Sequence, residues 1–575
     1  MAVDNAVKLS TIMLLCLFVL ALSDDDAPPS TPVSPSDACN ATTDPTFCRS
    51  VLPPRGRGNL YTYGRFSVAE SLASARKFAA LVDRYLARHR HLSAAAVGAL
   101  RDCQLMAELN VDFLSTAGDT IRSTDTLADP QADDVHTLLS AIVTNQQTCF
   151  DGLRDAAGNK WSDGGQLDAP AVNGTKMYSL SLSLFTRAWV PTATHRGGGK
   201  KKPPHHGNHG GHGHGGNKKK KPKQQPRRGL LFDVTDDEMV RQMAAEGPER
   251  TVAVNSVVTV DQRGAGNFTT VGDAVAAAPK NLDGSGGYHV IYVLAGVYDE
   301  NVEISKHYRY IMMIGDGIGQ TVITGNRSVV DGWTTFRSAT FAVVGQGFVA
   351  MNMTFRNTAG PSKHQAVALR SGADLSAFYG CSFEAYQDTL YTHSLRQFYR
   401  GCDIHGTVDY VFGNAAVVFQ GCTFYSRLPM PGQSNTVTAQ GRSDPNQNTG
   451  TSIQACTLLA APELAANDAF RTLTYLGRPW KNFSRTVIME SYVDKLVDPA
   501  GWMPWSGDFA LDTLYYAEYN NTGPGADTTR RVTWPGYHVL GDAADAGNFT
   551  VTSMVLGDNW LPQTGVPFTS GLTAS

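Results

Sequence analysis

Apolar and polar positions change rhythm along this chain. Between about 36 and 190 the apolar positions recur every three or four residues. Leu72, Ala75, Ala79, Val82 and Leu86 form one run, and Leu100, Cys103, Ala107, Val111 and Leu114 the next. That spacing puts the apolar side chains on one stripe of an α-helix. A third run, 135–153, carries Leu138, Leu139, Ile142 and Cys149. Successive helices of this kind bury their stripes against one another, so a helical bundle is predicted over 36–190. From 252 to about 565 the texture becomes short β-rich runs between Gly, Asn and Asp turns, as at 290–294, 340–344, 417–419 and 486–489. Only 271–278 reads as a short helix there. Many short strands fit a sandwich, a barrel or a solenoid.

A repeat selects the solenoid. FYGCSFEAYQDTLY, FYRGCDIHGTVDYVFG and VFQGCTFYSRL align on Cys381, Cys402 and Cys422, which are spaced by 21 and 20 residues. A coil of about 20 residues is the repeat of a parallel β-helix, whose neighbouring coils lie about 4.8 Å apart. A disulfide needs Cα atoms about 4.4–6.8 Å apart, so Cys402 and Cys422 are expected to pair, with Cys381–Cys402 the competing choice. Asp388 and Asp409 each follow their cysteine by seven residues. They are therefore expected at the same position of consecutive coils, unless loop-length differences break the register and leave both as turn residues. Two carboxylates stacked so closely cannot both ionise freely. Such a pair suits a nucleophile with a general acid, a glycosidase or a Ca²⁺ site. Spacing alone does not choose among them.

Charge and composition add a third region. The 575 residues carry a net charge of −3, yet 196–228 hold eight Lys and three Arg with no acid, which leaves about −14 for the rest. The stretch 191–228 (RGGGKKKPPHHGNHGGHGHGGNKKKKPKQQPRR in its main part) is low in complexity and is predicted to be a disordered basic linker. Its histidines, His205 to His214, could hold a metal loosely, but a solvated linker is the preferred reading. At its end RRGLL offers a dibasic processing site. Residues 1–23 read as a signal peptide: Lys8 precedes an apolar run at 12–22, too short to span a bilayer comfortably. Export permits disulfides. Beyond Cys16 the cysteines fall into two sets, Cys39, Cys48, Cys103 and Cys149, then Cys381, Cys402, Cys422 and Cys456. Eight N-x-S/T sequons, among them Asn267, Asn326 and Asn482, agree with a secreted chain.

Longer motifs carry a resemblance. GDG at 315–317, TTF at 334–336, NTAGPSKHQAVAL at 357–369, YQDTLY at 386–391, RQFYRGCDIHGTVDYVFGNA at 396–415 and LGRPW at 476–480 occur in order. GW..W at 501–505 and YYAEYNNTGPGA at 515–526 follow them. Over roughly 255–565 the chain resembles plant pectin methylesterases. Residues 36–190, with C-x8-C at Cys39 and Cys48 and LLSAIVTNQQTCFDGL near Cys149, resemble the inhibitor-type pro-region of that family. The resemblance implies a right-handed parallel β-helix over 252–565, preceded by a four-helix bundle.

It also implies a chemistry: hydrolysis of methyl esters in galacturonan, without metal or organic cofactor. Asp409 corresponds to the nucleophile and Asp388 to the acid that protonates methanol and then activates water. Gln387 and Gln365 correspond to oxyanion donors. Arg478, Trp480 and Thr335 correspond to substrate contacts. Arg478 beside Asp409 would favour its ionised form, and Asp388 in the field of Asp409 would keep its proton more readily. The implied setting is the cell wall after secretion, as a monomer, with pectin as substrate. Inhibitor proteins and a subtilisin-like processing protease are further partners, with no nucleic acid and no membrane once the signal is removed. The N-terminal domain is expected to restrain the enzyme. Three departures stand out. Tyr410-Val411 replace the usual Phe-Ile, Asn352 stands where an acid is expected, and RRGLL has an extra Gly. Two other readings remain open at this level. One is an inhibitor or wall-binding protein with a silent enzyme domain, against which the full set of Gln365, Gln387, Asp388, Asp409 and Arg478 argues. The other is a hydrolase or lyase on the same fold, which would shorten the polysaccharide.

Overall fold

Helix starts in the N-terminal part are written in its capping residues. Ser34 and Asp44 accept from the backbone N–H of Asp37 and Phe47 at 3.1 and 2.9 Å, and a proline opens each helix, Pro35–Asn40 and Pro45–Val51. A Cys39–Cys48 disulfide ties these two short helices together. Four long helices follow: α1 (Leu60–Ala87), α2 (Ala94–Ile121), α3 (Asp129–Ala157) and α4 (Gly165–Trp189). The expected stripes face inward. Ala75, Val82, Leu100, Cys103, Ala107, Leu114, Leu139, Ile142 and Cys149 are all buried. Cys103–Cys149 staples α2 to α3. At Gly64 of α1 a Cβ would come within 2.6 Å of the Trp189 ring, so the absent side chain is what lets α4 lie so close. The structure, a computed structural model, describes residues 28–53, 58–87, 92–157, 165–190, 252–467 and 472–573. The expected signal peptide (1–23), the basic linker (191–228) and the RRGLL site lie outside the described residues.

From 252 onward the chain winds into a parallel β-helix. Strands pair in parallel in three sheets of 11, 7 and 8 strands. Each coil contributes one strand to each sheet in turn, which is the architecture a 20-residue repeat demands. Equivalent residues stack along the inside. Phe378, Tyr399 and Phe419 stand in register on three successive strands, with ring centroids 4.7 and 4.6 Å apart. The short helix expected at 271–278 forms as Val271–Ala277, capped by Thr270.

The seven-stranded sheet positions the chemistry. Its strands are β1 (Val302–Ile304), β2 (Phe341–Val343), β3 (Leu369–Ser371), β4 (Leu390–Thr392), β5 (Val411–Gly413), β6 (Asn435–Gln440) and β7 (Thr474–Gly477), neighbours in that order. Leu390 of β4 pairs with Val411 of β5. Asp388 and Asp409 each stand two residues before these partners, so the two aspartates do occupy equivalent places on consecutive coils. Both have left-handed backbones, with φ of 62° and 52°. Asn352, the departure noted above, is another left-handed residue, at φ 55°.

The expected disulfide between Cys402 and Cys422 is not formed. Cys381, Cys402, Cys422 and Cys456 are free, buried thiols. In-register parallel strands point equivalent side chains the same way, so the thiols stack along the axis instead of converging. Each then has a carbonyl acceptor: Cys402 Sγ donates to Phe378 O at 3.4 Å and Cys422 Sγ to Tyr399 O at 3.5 Å.

The bundle packs on the face of the seven-stranded sheet. Phe78, Leu100 and Leu167 share one apolar cluster with Phe336, Tyr391 and Phe412. Around it Asn414 donates to Thr144 at 2.8 Å and Gln447 to the Ser140 carbonyl at 2.8 Å. Because the interior aromatic stack has no slack, Phe378→Ala should destabilise the β-helix by about 3–5 kcal/mol. A urea midpoint shift worth under about 1 kcal/mol would show that neighbouring rings close the gap.

Candidate active site

Asp409 is held from three directions. Arg478 Nε donates to Oδ1 at 2.8 Å and Arg478 Nη2 to Oδ2 at 2.7 Å, a two-pronged pairing that fixes both charge and carboxylate plane. Thr436 Oγ1 donates to Oδ1 at 2.6 Å and accepts the Asp409 backbone N–H at 2.7 Å. Arg478 is itself stacked over the Trp505 ring, 4.4 Å from its centroid. The guanidinium is thus clamped between an aromatic face and the carboxylate it serves.

Asp388 has a different environment one coil away. It is buried, and among the described residues no donor bonds its carboxyl. Burial, and next the negative charge of Asp409, push its carboxyl well above the usual carboxylate range, against the weaker pull of Arg478. The stacked pair is therefore unequal: Asp409 is gripped by a guanidinium, and burial holds the carboxyl of its neighbour above the ordinary range.

Both aspartates open into a cavity of about 660 Å³. Thr335, Gln365, Gln387, Arg478 and Trp480 line it too, so all the site residues expected from sequence meet in one place. Among the described residues neither glutamine amide is engaged by protein, which leaves both free for a ligand. Trp480 stands edge-on to Phe412, with centroids 6.0 Å apart. Room for its ring comes from Gly441, where a Cβ would lie 2.8 Å from Trp480 Cε3. The cysteine pair is remote in role, buried within the coils.

Thr436, Trp505 and Trp333 belong to the site and were not singled out from sequence. Trp505 sat inside the GW..W motif without a role. Thr436 had no signal at all: it is one threonine in a β-rich run, brought to Asp409 only by coil stacking across 27 residues. The roof was equally silent. Asp102, Thr148, Asp151 and Asp155 of the helical bundle also line the cavity.

Two stacked carboxyl groups, one gripped by an arginine and the other pushed above the usual carboxylate range, with two amides at hand and aromatic walls, can carry out acyl transfer on a sugar ester. Comparison with known proteins agrees in kind. The profile of the pectinesterase family matches residues 257–558, and that of the plant invertase/pectin methylesterase inhibitor family matches 34–184. "Probable pectinesterase/pectinesterase inhibitor 41" of Arabidopsis thaliana is 54% identical over 544 residues, 94% of this chain and 95% of that one. "Pectinesterase 2" of Citrus sinensis is 58% identical over 315 residues, covering 55% of this chain and 60% of that protein. The solved pectin methylesterase from carrot is 52% identical, with a TM-score of 0.53, and 99% of it aligns with 57% of this chain. That is about the share occupied by the β-helix, so a whole solved enzyme corresponds to this domain alone. The chain belongs to the pectinesterase family and carries, ahead of its esterase domain, a domain of the inhibitor family.

Proposed function

We propose that this pectinesterase cleaves the methyl ester of galacturonate through Asp409 as nucleophile and Asp388 as acid and then base, and that the bundle keeps the site latent. The observation that carries the chemistry is the unequal pair: Asp409 in the two-pronged grip of Arg478, and Asp388 one coil away holding its proton. A carboxylate oxygen of Asp409 attacks the ester carbonyl carbon. The negative charge that develops on the carbonyl oxygen is met by the amides of Gln365 and Gln387, each donor worth about 2.7–4 kcal/mol. The bond to the methoxy oxygen breaks, Asp388 gives that oxygen its proton, and methanol leaves. An anhydride now joins Asp409 to the sugar. Asp388, ionised, takes a proton from water as its oxygen adds to the same carbonyl. Asp409 departs as carboxylate, the product is a free acid, and Asp388 again holds a proton. Trp480 and Thr335 hold the sugar.

Latency rests on the roof. On this reading Asp102, Thr148, Asp151 and Asp155, which line the cavity from the bundle, hinder a polysaccharide from reaching the aspartates. Release follows cleavage in the dibasic stretch near RRGLL, by a subtilisin-like protease in the secretory route. The freed enzyme acts in the cell wall, where separate inhibitor proteins of the bundle's kind would cover the same face. Among the described residues no helix is long and apolar enough to cross a membrane.

Residues 252–575 should release methanol from methyl-esterified pectin without shortening the chain, and the full chain should do so at least about tenfold more slowly. Failure of 252–575 to release methanol at any pH overturns the reaction; equal rates overturn the latency. Asp409→Asn should abolish turnover with an unchanged circular dichroism spectrum, and retained activity would remove Asp409 from its role. Arg478→Lys, which replaces the two-pronged grip by a single point charge, should lower kcat by about a hundredfold, roughly 2.7 kcal/mol. The pH profile follows from Asp388. A raised carboxyl keeps its proton at pH values where ordinary carboxylates have lost theirs, and the acid form disappears as pH climbs through that raised value. The alkaline limb of kcat should therefore lie above the ordinary carboxylate range; a limb inside that range would show that Asp388 is not the acid.

A further inference from the structure

Two of the sequence motifs are left over by the reaction: GW..W at 501–505, apart from Trp505, and YYAEYNNTGPGA at 515–526. They meet at a buried charge. The interior row of Phe378, Tyr399 and Phe419 continues in register through Ile453 and Ile488 and arrives at Glu518. A carboxyl group thus stands inside the coils, where the earlier members of the row are aromatic or aliphatic. Arg531 answers it: Nε donates to Oε1 at 2.8 Å and Nη2 to Oε2 at 3.0 Å, with both side chains 2% exposed. Trp502 Nε1 and Tyr537 OH also donate to Oε1, at 3.3 and 3.0 Å.

Desolvating two charges can cost more than their attraction gains, and apolar side chains of like volume often serve stability as well. What sets this pair apart from an apolar filling is the backbone it holds. Arg531 Nη1 donates to the Pro499 carbonyl at 3.2 Å and Nη2 to that of Gly525 at 2.7 Å, while the Val532 N–H donates to the Ala500 carbonyl at 3.1 Å. Gly501 follows with a left-handed φ of 73°, and a Cβ there would run into the Arg531 side chain. The next residues pair with β7. The Gly501 carbonyl accepts the Leu476 N–H at 2.7 Å, and the Met503 N–H donates to the Gly477 carbonyl at 3.0 Å. Between them Trp502 lies flat on Tyr516, with centroids 4.2 Å apart. Both partners of one contact are therefore anchored on this segment. Arg478 follows Gly477, and Trp505, two residues beyond Met503, lies against its guanidinium.

We propose that Glu518 and Arg531 are positioning residues of the esterase: their pair fixes 499–503, and through it the contact between Trp505 and Arg478 that aims the guanidinium at Asp409. Neither residue lines the catalytic cavity. Misplacing a group at the reacting centre by about 1 Å can slow a reaction by about a hundredfold, so a pair outside the cavity can still set the turnover. The effect on rate rests on the reaction assigned to Asp409; the effect on Arg478 itself does not.

The test uses 252–575, the part to which the whole carrot enzyme corresponds, and two variants. Arg531→Lys keeps the buried charge and loses the two-pronged grip. Glu518→Met with Arg531→Met leaves no lone charge in a core of similar volume, and so keeps the fold should the first variant lose it. The side-chain Nε–H of Arg478 is followed by isotope-edited NMR, its signal being the one that Arg478→Lys removes. In both variants that signal should shift or broaden, while kcat falls by about tenfold or more and KM stays within about twofold. In an Arg478→Lys background the same changes should lower kcat by less than about twofold, because the contact they act through is already gone. The loss in Tm should be equal in the two backgrounds, as a purely structural effect is. An unmoved Arg478 signal in a folded variant overturns the proposal, and so does an equal fall of kcat in both backgrounds. Loss of the fold in both variants would make the pair a requirement of the core and overturn a separate positioning role. A moved signal with unchanged kcat would leave the positioning in place and remove Arg478 and Asp409 from the roles given them in the reaction.

Discussion

In-register hydrogen bonding between successive coils is the constraint on which this active site depends. Parallel pairing of Leu390 with Val411 fixes the distance between two chain segments 21 residues apart, and the aspartates two positions upstream have no freedom to separate. Repulsion between them is therefore built into the backbone. In a loop, two carboxylates would drift apart until water screened them. Here the aromatic stack of Phe378, Tyr399 and Phe419 inside the coils holds the register from within, and the repulsion adds to the burial that pushes the carboxyl of Asp388 up.

The two carboxyl groups are made unlike by groups that arrive from elsewhere. Arg478 comes from the turn after β7 and Thr436 from β6, and both bond the carboxylate of Asp409. Among the described residues no such bond reaches the carboxyl of Asp388, which is buried. The two aspartates thus differ in their neighbours, not in residue type. Trp505 matters for the same reason: its ring lies against the guanidinium that bonds the carboxylate.

Much of this was legible in the sequence because a solenoid converts spacing into distance. Equal offsets of Asp388 and Asp409 from aligned cysteines are enough to stack them, and helical stripes such as Leu100–Cys103–Ala107 are enough to orient a bundle. The same reasoning failed at Cys402 and Cys422. Spacing gives a Cα separation, but a disulfide also needs side chains that turn toward one another, and stacked coils turn them alike. Thr436 and the aspartates of the roof were hidden for another reason. Their contacts span chain separations that no local period encodes, and the face that Asp102 and Asp151 present depends on how a separate domain docks.

Asp388 and Asp409 share one further property, their left-handed backbone at φ 62° and 52°. For most L-residues that conformation costs about 1–2 kcal/mol. Aspartate, asparagine and glycine tolerate it best, because a short polar side chain can bond locally or is absent. The turn and the chemistry therefore ask for overlapping residue types at both positions. An alanine or a β-branched residue at either place would disturb the backbone as well as remove the carboxyl group, and its lost activity would have two causes. Asparagine separates them. The same overlap limits what can be lost: a coil that gave up the reaction could still keep its shape with asparagine, and so could pass into a binding module without refolding.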